Sequence, residues 1–366
     1  MSNVRILIAA GGTGGHVYPA IAIADALKAQ EPEAEIVFVG TRDRMEWQAV
    51  PKAGYPIENV WISGFHRRLT LKNLIFPLKL VVSIIQSFTI LSRFKPQVVV
   101  VCGGFVAGPV GWAAARRNIP LMLQEQNSFP GVTNRMLGKD AERVFTAFEE
   151  ANRYFPEGKS ETVGNPTRST LLEVDKEKAL KNFRFEAGIP TLLILGGSGG
   201  AQSINEAMAA NIETLHDEFG LQIIWQCGKK YFENLKEQVE PEQYERLRLQ
   251  EFLDNMDQAY AVADLVVSRA GATSCSELQL TGKASILIPS PNVAGDHQTK
   301  NAQSMVNKGA SVLLKDDKAH DTLAEIVQQY IFDQSKLKAM NKAAQAMAKP
   351  DAAQHIAAEI LNRARE

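Results

Sequence analysis

A glycine-rich turn between an apolar segment and a helical one occurs twice in this chain, and the repeat strongly constrains the fold. The first copy, GGTGG at residues 11–15, follows the apolar residues 4–8 and precedes a helix that Pro19 is expected to open. The second copy, GGSGG at residues 196–200, follows the apolar residues 192–195. Glycine permits positive φ and close backbone approach, and a helix N-terminus favours an anion. The repeat predicts two Rossmann-like, doubly wound α/β domains, each with a turn suited to phosphate.

Short apolar segments alternate with helical ones through both halves of the chain, which predicts a parallel sheet in each half. The segments lie at residues 36–40, 98–102 and 120–123, and at residues 222–227, 265–268 and 284–288. A Gly-Asn-Pro turn at residues 164–166 marks the expected boundary between an N-terminal domain, residues 1–164, and a C-terminal domain, residues 165–349. A last helix, residues 350–366, is expected to pack back on the first domain.

The spacing of the first turn disfavours two well-known phosphate loops. A Walker A loop needs a lysine after its last glycine, and none follows here. The dinucleotide fingerprint G-x-G-x-x-G, begun at Gly12, would require glycine where Val17 stands. The segment at 36–40 is followed by Thr-Arg and not by the acid that holds an NAD ribose. An NAD-dependent oxidoreductase is therefore disfavoured.

Composition is that of a globular protein with ordinary cores. Hydrophobic residues make up 45% of the 366 residues, charged residues 22%, and the net charge is −1. We expect no signal peptide before the first strand and no apolar run near the ~20 residues of a spanning helix. Cys102, Cys227 and Cys275 are isolated, which disfavours disulfides and zinc fingers. These features predict a cytoplasmic protein.

The near-neutral net charge conceals a stretch without acids. No Asp or Glu occurs from Asn59 to Gln124. Residues 64–88 interleave Arg67, Arg68 and Lys72 with aliphatic side chains, a composition typical of surfaces that rest on anionic lipid. The same pattern also fits a core helix with a solvated basic face. Nucleic acid is not expected as a partner, because few aromatic residues are present to stack on bases.

A third glycine loop, CGGFVAGP, occupies residues 102–109 after the apolar segment at 98–101. Parallel strands end at the same sheet edge, so this loop and the first turn are expected to lie side by side. Together they could accept a diphosphate.

Six motifs, in order, resemble one family. They are GGTGGH at 11–16, EQN at 125–127, GNPTR at 164–168, GGSGGA at 196–201, SRAGATSCSE at 268–277 and DHQ at 296–298. Together they resemble the bacterial enzymes that add N-acetylglucosamine to the undecaprenyl-pyrophosphoryl-muramyl-pentapeptide lipid of peptidoglycan synthesis, along residues 5–360. The resemblance implies the two-domain B-type glycosyltransferase fold and inverting transfer from UDP-N-acetylglucosamine to lipid I, giving lipid II. It also implies a peripheral location at the cytoplasmic face of the plasma membrane.

Residue roles follow from the resemblance only where residues match. Thr13, Gly14 and Gly15 are expected at a substrate phosphate, and Asn127 and Arg168 at the donor. The other implied positions lie in the second half: Ser198 at the UDP diphosphate, Leu253 at uracil mainly through its backbone, Ala272, Thr273, Ser274, Cys275, Ser276 and Glu277 around the nucleotide, and Gln298 at the sugar hydroxyls. Glu277 is expected to accept hydrogen bonds from the ribose hydroxyls, which are donors. Cys275 is interpreted as a packing residue.

His16 is the candidate general base. It stands where the helix begins, so the positive end of the helix dipole disfavours the imidazolium form, and neutral imidazole can accept the proton of the attacking hydroxyl. Alternatively His16 caps its helix or hydrogen-bonds the acceptor. Glu125 is a second candidate base, although its position also suits a structural acid.

No metal or cofactor is expected, because the chain has no D-x-D pair and no ligand motif such as H-E-x-x-H. The expected partners are UDP-N-acetylglucosamine, lipid I and an anionic membrane surface, and the resemblance also allows other cell-wall enzymes. Three alternatives remain open: a diacylglycerol glucosyltransferase or a UDP-N-acetylglucosamine 2-epimerase on the same fold, and a two-lobed binding module without catalysis.

Overall fold

A computed structural model describes residues 3–64, 75–167, 169–172, 174–197 and 199–366. The chain divides into two compact units, the first formed by residues 1–167 and 349–366 and the second by residues 168–348. Arg67, Arg68 and Lys72 of the basic–apolar stretch lie outside the described residues, as do Arg168 and Ser198 of the implied site.

The first unit is built on a parallel sheet with the strand order β3-β2-β1-β4-β5-β6-β7. The strands are β1 (Arg5–Ala9), β2 (Glu35–Gly40), β3 (Ile57–Asn59), β4 (Val98–Val101), β5 (Leu121–Glu125), β6 (Arg143–Thr146) and β7 (Ser160–Thr162). In this register Ile8 lies beside Phe38 on one side and Val100 on the other. The central strands are buried on both faces, as expected for apolar segments covered by helices.

The described residues of this unit form six α-helices: α1 (Gly14–Gln30), α2 (Glu46–Lys52), α3 (Phe76–Phe94), α4 (Ala107–Arg116), α5 (Val132–Leu137) and, from the end of the chain, α14 (Ala352–Arg365). Ile356 and Ile360 of α14 share a buried cluster with Ile23 and Leu27 of α1. The prediction that Pro19 opens the first helix is wrong. Helix α1 begins at Gly14, inside the glycine turn, and Pro19 lies within it. Pro19 lies one turn beyond the helix start and has no N–H to donate to the Gly15 carbonyl, so α1 lacks one backbone hydrogen bond there.

Helix α3 differs from the sequence-based expectation. Among the described residues it is the one helix that is long and apolar enough, at 19 residues, to cross a membrane by length and composition alone. Lys79 and Arg93 interrupt the apolar residues, so no unbroken run reveals it. One stripe of this helix, with Ile90 and Leu91, packs into the core beside Val99 of β4.

The second unit is also built on a parallel sheet, with the order β10-β9-β8-β11-β12-β13. Its strands are β8 (Thr191–Leu195), β9 (Gln222–Gln226), β10 (Leu247–Gln250), β11 (Leu265–Ser268), β12 (Ser285–Leu287) and β13 (Ser311–Leu313). Its helices are α6 (Lys176–Phe183), α7 (Gln202–Glu213), α8 (Phe232–Val239), α9 (Met256–Val262), α10 (Ala272–Leu280), α11 (His297–Asn307), α12 (Ala319–Ile331) and α13 (Gln334–Ala346). The predicted fold class, two Rossmann-like α/β domains, is confirmed.

The strand order of each sheet defines where a ligand can enter. The order reverses direction between β1 and β4 in the first unit and between β8 and β11 in the second. Connections leave these neighbouring strands toward opposite sides, which opens a crevice at the carboxyl edge of an α/β sheet. The glycine turns follow β1, β4 and β8, so each lies at such a point.

Candidate functional site

The first and third glycine loops are in direct backbone contact, which confirms that they lie side by side. Gly104 has a φ of +82°, and a Cβ atom there would stand 2.1 Å from the carbonyl oxygen of Gly11. Gly103 has a φ of +98°, and its Cβ would stand 2.7 Å from Cδ2 of His16. The missing side chains therefore serve contact between the two loops as well as access for a ligand.

His16 lies in the first turn of α1 and is half-buried. Its backbone N–H donates to the Thr13 carbonyl at 3.0 Å, and its Nδ1 is 3.2 Å from Thr13 Oγ1. Thr13 is the N-cap residue but its side chain makes no capping hydrogen bond, so its hydroxyl is directed at the imidazole ring instead. The structure thus brings together Thr13, Gly14, Gly15 and His16 at one edge of the sheet.

Glu125, the second candidate base, ends β5 and is 1% exposed. Its carboxylate accepts hydrogen bonds from the Asn127 backbone N–H at 3.0 Å, the Asn127 side chain at 3.2 Å, the Gly131 N–H at 3.1 Å and the Asn134 side chain at 2.9 Å. Burial raises the pKa of Glu125, and the four donors oppose that shift. Glu125 therefore fixes the loop that presents Asn127.

The side-chain amides of Gln124, Gln126 and Asn165 form a buried cluster that the sequence analysis did not predict. Gln126 donates to the Cys102 carbonyl at 2.5 Å and to the side-chain oxygen of Gln124, which in turn donates to Asn165 Oδ1 at 3.1 Å. The cluster ties the third glycine loop to β5 and to the Gly-Asn-Pro turn. Gln126 and Asn165 belong to two of the motifs, but only the fold brings them together.

The second glycine turn, at the carboxyl end of β8, is packed at one end and open at the other. A Cβ atom on Gly200, whose φ is +72°, would stand 2.2 Å from the Cys227 carbonyl oxygen. A Cβ on Gly197 or Gly199 would meet no heavy atom of the described chain within 4 Å. The turn therefore has room for a ligand at Gly197 and Gly199, beside the N-terminus of α7.

Helix α10 starts at the same edge, directly after Gly271. Cys275 is fully buried, and burial raises the pKa of its thiol to about 12. Its side chain cannot reach a nucleotide, in agreement with its interpretation as packing. Ala272 and Ser276 are also buried, and Ser276 Oγ donates to the Ala272 carbonyl at 2.9 Å.

The remaining residues of this segment, Thr273, Ser274 and Glu277, are half-buried. Thr273 Oγ1 is buried without a hydrogen-bond partner among the described residues. Glu277 Oε2 accepts a hydrogen bond of 3.0 Å from the hydroxyl of Tyr260, a fully buried residue that the motifs do not include. Tyr260 therefore holds the carboxylate for which the resemblance implies a contact with the ribose.

Two implied residues come from other loops at this edge. Gln298 lies in the first turn of α11, and its side-chain oxygen accepts from the Ser290 N–H at 2.8 Å, which directs the amide NH2 group away from that loop. Leu253 follows β10 and is 2% exposed, so only its backbone is placed to meet a ligand.

Arg269 lies directly after β11 and contacts the helix that follows the second glycine turn. It forms an ion pair with Asp316 and donates to Ser203 Oγ at 2.8 Å and to the Ile288 carbonyl at 3.0 Å. These contacts tie the end of β11 to the first turn of α7. Its charge is neutralised by Asp316, which indicates a structural role.

Within the described ranges, no group of three or more His, Cys, Asp or Glu side chains is placed to hold a metal ion.

Comparison with known proteins agrees with this arrangement. The N-terminal domain of glycosyltransferase family 28 matches residues 6–146, and the C-terminal domain of the same family matches residues 191–356. The chain is 44% identical to the UDP-N-acetylglucosamine–N-acetylmuramyl-(pentapeptide) pyrophosphoryl-undecaprenol N-acetylglucosamine transferase of Flavobacterium psychrophilum, over 99% of this chain and 98% of the relative. A relative of the same name from Cytophaga hutchinsonii is 43% identical, over 98% of this chain and 96% of the relative.

A solved structure gives the same result. The crystal structure of MurG from Acinetobacter baumannii is 28% identical, with a TM-score of 0.77, and the match covers 99% of this chain and 100% of that one. The chain therefore belongs to the UDP-N-acetylglucosamine–N-acetylmuramyl-(pentapeptide) pyrophosphoryl-undecaprenol N-acetylglucosamine transferases of glycosyltransferase family 28, which have the B-type glycosyltransferase fold.

Proposed function

We propose that this chain is an inverting glycosyltransferase that moves N-acetylglucosamine from UDP-N-acetylglucosamine to the muramyl 4-hydroxyl of lipid I, giving lipid II. The first unit takes the acceptor and the second takes the donor. The observation that carries the proposal is the pairing of His16 with two touching glycine loops at the carboxyl edge of the first sheet. The imidazole ring suits the hydroxyl group of the acceptor, and the glycine loops beside the N-terminus of α1 suit its diphosphate.

His16 acts as the general base. In the tautomer with a proton on Nδ1, that nitrogen donates to Thr13 Oγ1, and the Nε2 lone pair accepts the proton of the attacking hydroxyl. The oxygen then attacks the anomeric carbon in a single displacement while UDP leaves. Glu125 is a poorer base because its carboxylate is buried and already accepts four hydrogen bonds.

The second unit binds UDP at its carboxyl edge. The diphosphate meets the open glycines of the second turn, Gly197 and Gly199, near the positive N-terminal ends of α7 and α10. Glu277 accepts hydrogen bonds from the ribose hydroxyls, and Gln298 donates to the sugar. The leaving diphosphate is stabilised by these helix ends together with Arg168 and Ser198, and the transfer needs no metal ion.

A transfer assay tests the reaction. Radiolabelled UDP-N-acetylglucosamine and a lipid I analogue are incubated with the protein, with and without EDTA. We expect a labelled disaccharide-lipid and an equal rate in EDTA. Epimerised sugar, or transfer to diacylglycerol but not to the lipid I analogue, would identify an alternative enzyme of the same fold, and absence of any product would favour a binding module.

His16→Ala tests the base. General base catalysis is worth about 10²–10⁴ in rate, so turnover should fall by at least ~10² while the KM for the donor, which binds to the second unit, changes little. A loss of less than ~10-fold would remove the base role from His16.

The same enzyme docks on the cytoplasmic face of the membrane through α3 and its neighbour α4. Ile75, Leu78, Val81 and Ile85 are between 47% and 59% exposed, which is unusual for four large aliphatic side chains so close together. Arg116 lies over the ring of Trp112 and Arg117 over that of Phe88, so cations flank this apolar surface. The buried stripe of α3 favours a helix that lies on the bilayer over one that spans it.

Vesicle sedimentation tests this surface. The double variant Leu78→Glu/Ile85→Glu should lose binding to vesicles that contain phosphatidylglycerol, and wild type should bind neutral phosphatidylcholine vesicles weakly. Phe332→Glu, at a 49% exposed side chain of the second unit, is the matched control and should bind normally. Undiminished binding of the double variant would exclude α3 as the docking element.

A further inference from the structure

Glu46 is a fully buried acid that neither the motifs nor the proposed mechanism uses. It lies in the first turn of α2 with 0% of its surface exposed. Its Oε2 accepts from the Gly12 N–H at 3.1 Å, and its Oε1 accepts from the Thr41 N–H at 3.1 Å and the Thr41 hydroxyl at 2.9 Å. One carboxylate thus joins the first glycine turn to the end of β2.

Two glycines make room for this side chain. A Cβ atom on Gly11 would stand 2.7 Å from Glu46 Oε1, and a Cβ on Gly40 would stand 2.6 Å from Glu46 Cγ. These distances are shorter than real Cβ contacts, and Gly11 and Gly40 both have negative φ, so backbone conformation does not require glycine at either position. The need for glycine there comes from the buried Glu46 side chain together with Val106 beside Gly11 and Ile57 beside Gly40, whose nearest carbons would each stand 2.9 Å from the added Cβ.

Glu46 is connected to the proposed base, His16, through Gly12 and Thr13. Gly12, held by Glu46, precedes Thr13, whose carbonyl accepts the N–H of His16 and whose hydroxyl lies beside its ring. Gly12 has a φ of +94°, and a Cβ atom there would stand 3.2 Å from Cε1 of Phe105. A buried carboxylate that accepts from backbone N–H groups is a strong, charge-assisted anchor.

We propose that Glu46 is a positioning residue for the transferase reaction: it fixes the glycine turn of residues 11–15 so that His16 meets the acceptor hydroxyl. The inference rests on the proposed function, because it needs His16 and this turn to act on the acceptor. Glu46 touches neither substrate. Its effect should appear in turnover and not in donor binding.

Glu46→Gln is the main test. The amide has one oxygen in place of two, so its NH2 group must face the N–H of either Gly12 or Thr41, and that hydrogen bond is lost. Glu46→Ala removes every acceptor and is the second variant. Hydrogen exchange of the segment 10–17, followed by mass spectrometry without substrate, measures the anchor directly. The kcat and the KM for UDP-N-acetylglucosamine are measured on the same samples.

Tyr55→Phe is the matched control. Tyr55 donates a 2.7 Å hydrogen bond to Asp25 on α1, so the control removes a carboxylate hydrogen bond from the same unit without touching the turn. We expect faster exchange at residues 10–17 and a kcat lower by ~10-fold or more in the Glu46 variants, with donor KM unchanged. A displacement of ~1 Å can cost ~10² in rate. Tyr55→Phe should lose stability only.

Two results would overturn the role of Glu46. One is unchanged exchange at residues 10–17 in both variants, and the other is faster exchange with a kcat loss below ~10-fold. If His16→Ala kept its turnover, the base assignment would fail instead, and exchange and turnover of the Glu46 variants would still decide whether this carboxylate serves catalysis.

Discussion

The imidazole ring of His16 lies against the backbone of Gly103, where a Cβ atom would stand 2.7 Å from Cδ2 and 3.0 Å from Nε2 of the ring. The position of the proposed base is therefore set by two glycine loops. His16 follows the glycine turn after β1, and its ring packs against Gly103 in the loop after β4.

Gly103→Ala should displace the ring of His16 and lower turnover. The new methyl group would overlap the ring, and the residue would keep a φ of +98°, which costs an L-residue about 1–2 kcal/mol. We expect kcat to fall by ~10² with donor KM little changed, measured in the lipid I transfer assay.

Gly54→Ala is the control that separates backbone strain at positive φ from displacement of the His16 ring. Gly54 has a φ of +88°, and a Cβ there would meet no heavy atom within 4 Å in the described chain. It should lose similar stability and keep its turnover. Equal kcat in the two variants would show that contact with Gly103 does not position His16.

Glu125→Gln should lower stability and substrate binding together. The four N–H groups that converge on Glu125 would face an amide with one oxygen, and an unsatisfied buried donor costs about 1–3 kcal/mol. Because Asn127, the expected donor contact, supplies two of these four hydrogen bonds, the KM for UDP-N-acetylglucosamine should rise, while the shape of the pH–rate profile is retained. Thermal unfolding and steady-state kinetics measure both effects.

The pH–rate profile separates this role from catalysis. Were Glu125 the base, its replacement by Gln would lower turnover by ~10² or more, and the pH–rate profile of the residual activity would lose its acidic limb. Such a result would reverse the assignment of base and structural acid.

The recurrence of the glycine turn predicts both sheets because strand, turn and helix are local patterns, set by residues adjacent in the chain. The burial of Cys275 agrees with its interpretation as a packing residue. Helix α1 begins at Gly14 and not at Pro19, because the last two glycines of the turn are themselves helical. Glycine is a poor helix former, so the sequence alone does not indicate this start.

Contacts between distant side chains are beyond such local patterns. Glu46 lies 34 positions after Gly12, and Tyr260 lies 17 positions before Glu277. The sequence shows no acid directly after β2, which argues against an NAD site. It does not show that Glu46 of α2 places its carboxylate against Thr41, the residue that follows β2. Only the packing of α2 against the sheet brings Glu46 there.

Lys283 should make the second unit more stable as the pH rises. Burial, aided by the nearby Lys176, lowers the pKa of Lys283 from 10.5 to about 8, and its Nζ donates to the Ala263 carbonyl at 2.7 Å. The unfolded chain keeps this proton up to about pH 10.5, so it binds more protons than the folded chain above pH 8. The free energy of unfolding should therefore rise by about 1.4 kcal/mol between pH 7 and 9 from this group alone.

Between pH 7 and pH 9 the change in the free energy of unfolding should be about 1.4 kcal/mol less positive in Lys283→Met than in wild type, and the exposed Lys308→Met should match wild type. Urea unfolding of the three proteins at pH 7 and pH 9 gives the comparison. Burial also raises the pKa values of the three cysteine thiols, so they lower the free energy of unfolding as the pH approaches 9, but they are the same in all three proteins and cancel. A pH dependence shared by wild type and Lys283→Met would mean that the ammonium is well solvated in the folded state.

Tyr260→Phe should weaken donor binding without slowing the chemical step. The Tyr260 hydroxyl donates to Glu277 Oε2, and its loss frees the carboxylate proposed to accept from the ribose hydroxyls. A hydrogen bond worth about 1 kcal/mol corresponds to roughly fivefold in affinity, so the KM for UDP-N-acetylglucosamine should rise by about that factor at constant kcat. A donor without ribose hydroxyls gives the control, because wild type and Tyr260→Phe should bind it equally. If the variant also binds this donor fivefold more weakly, Tyr260 supports the pocket generally and Glu277 does not read the ribose through it.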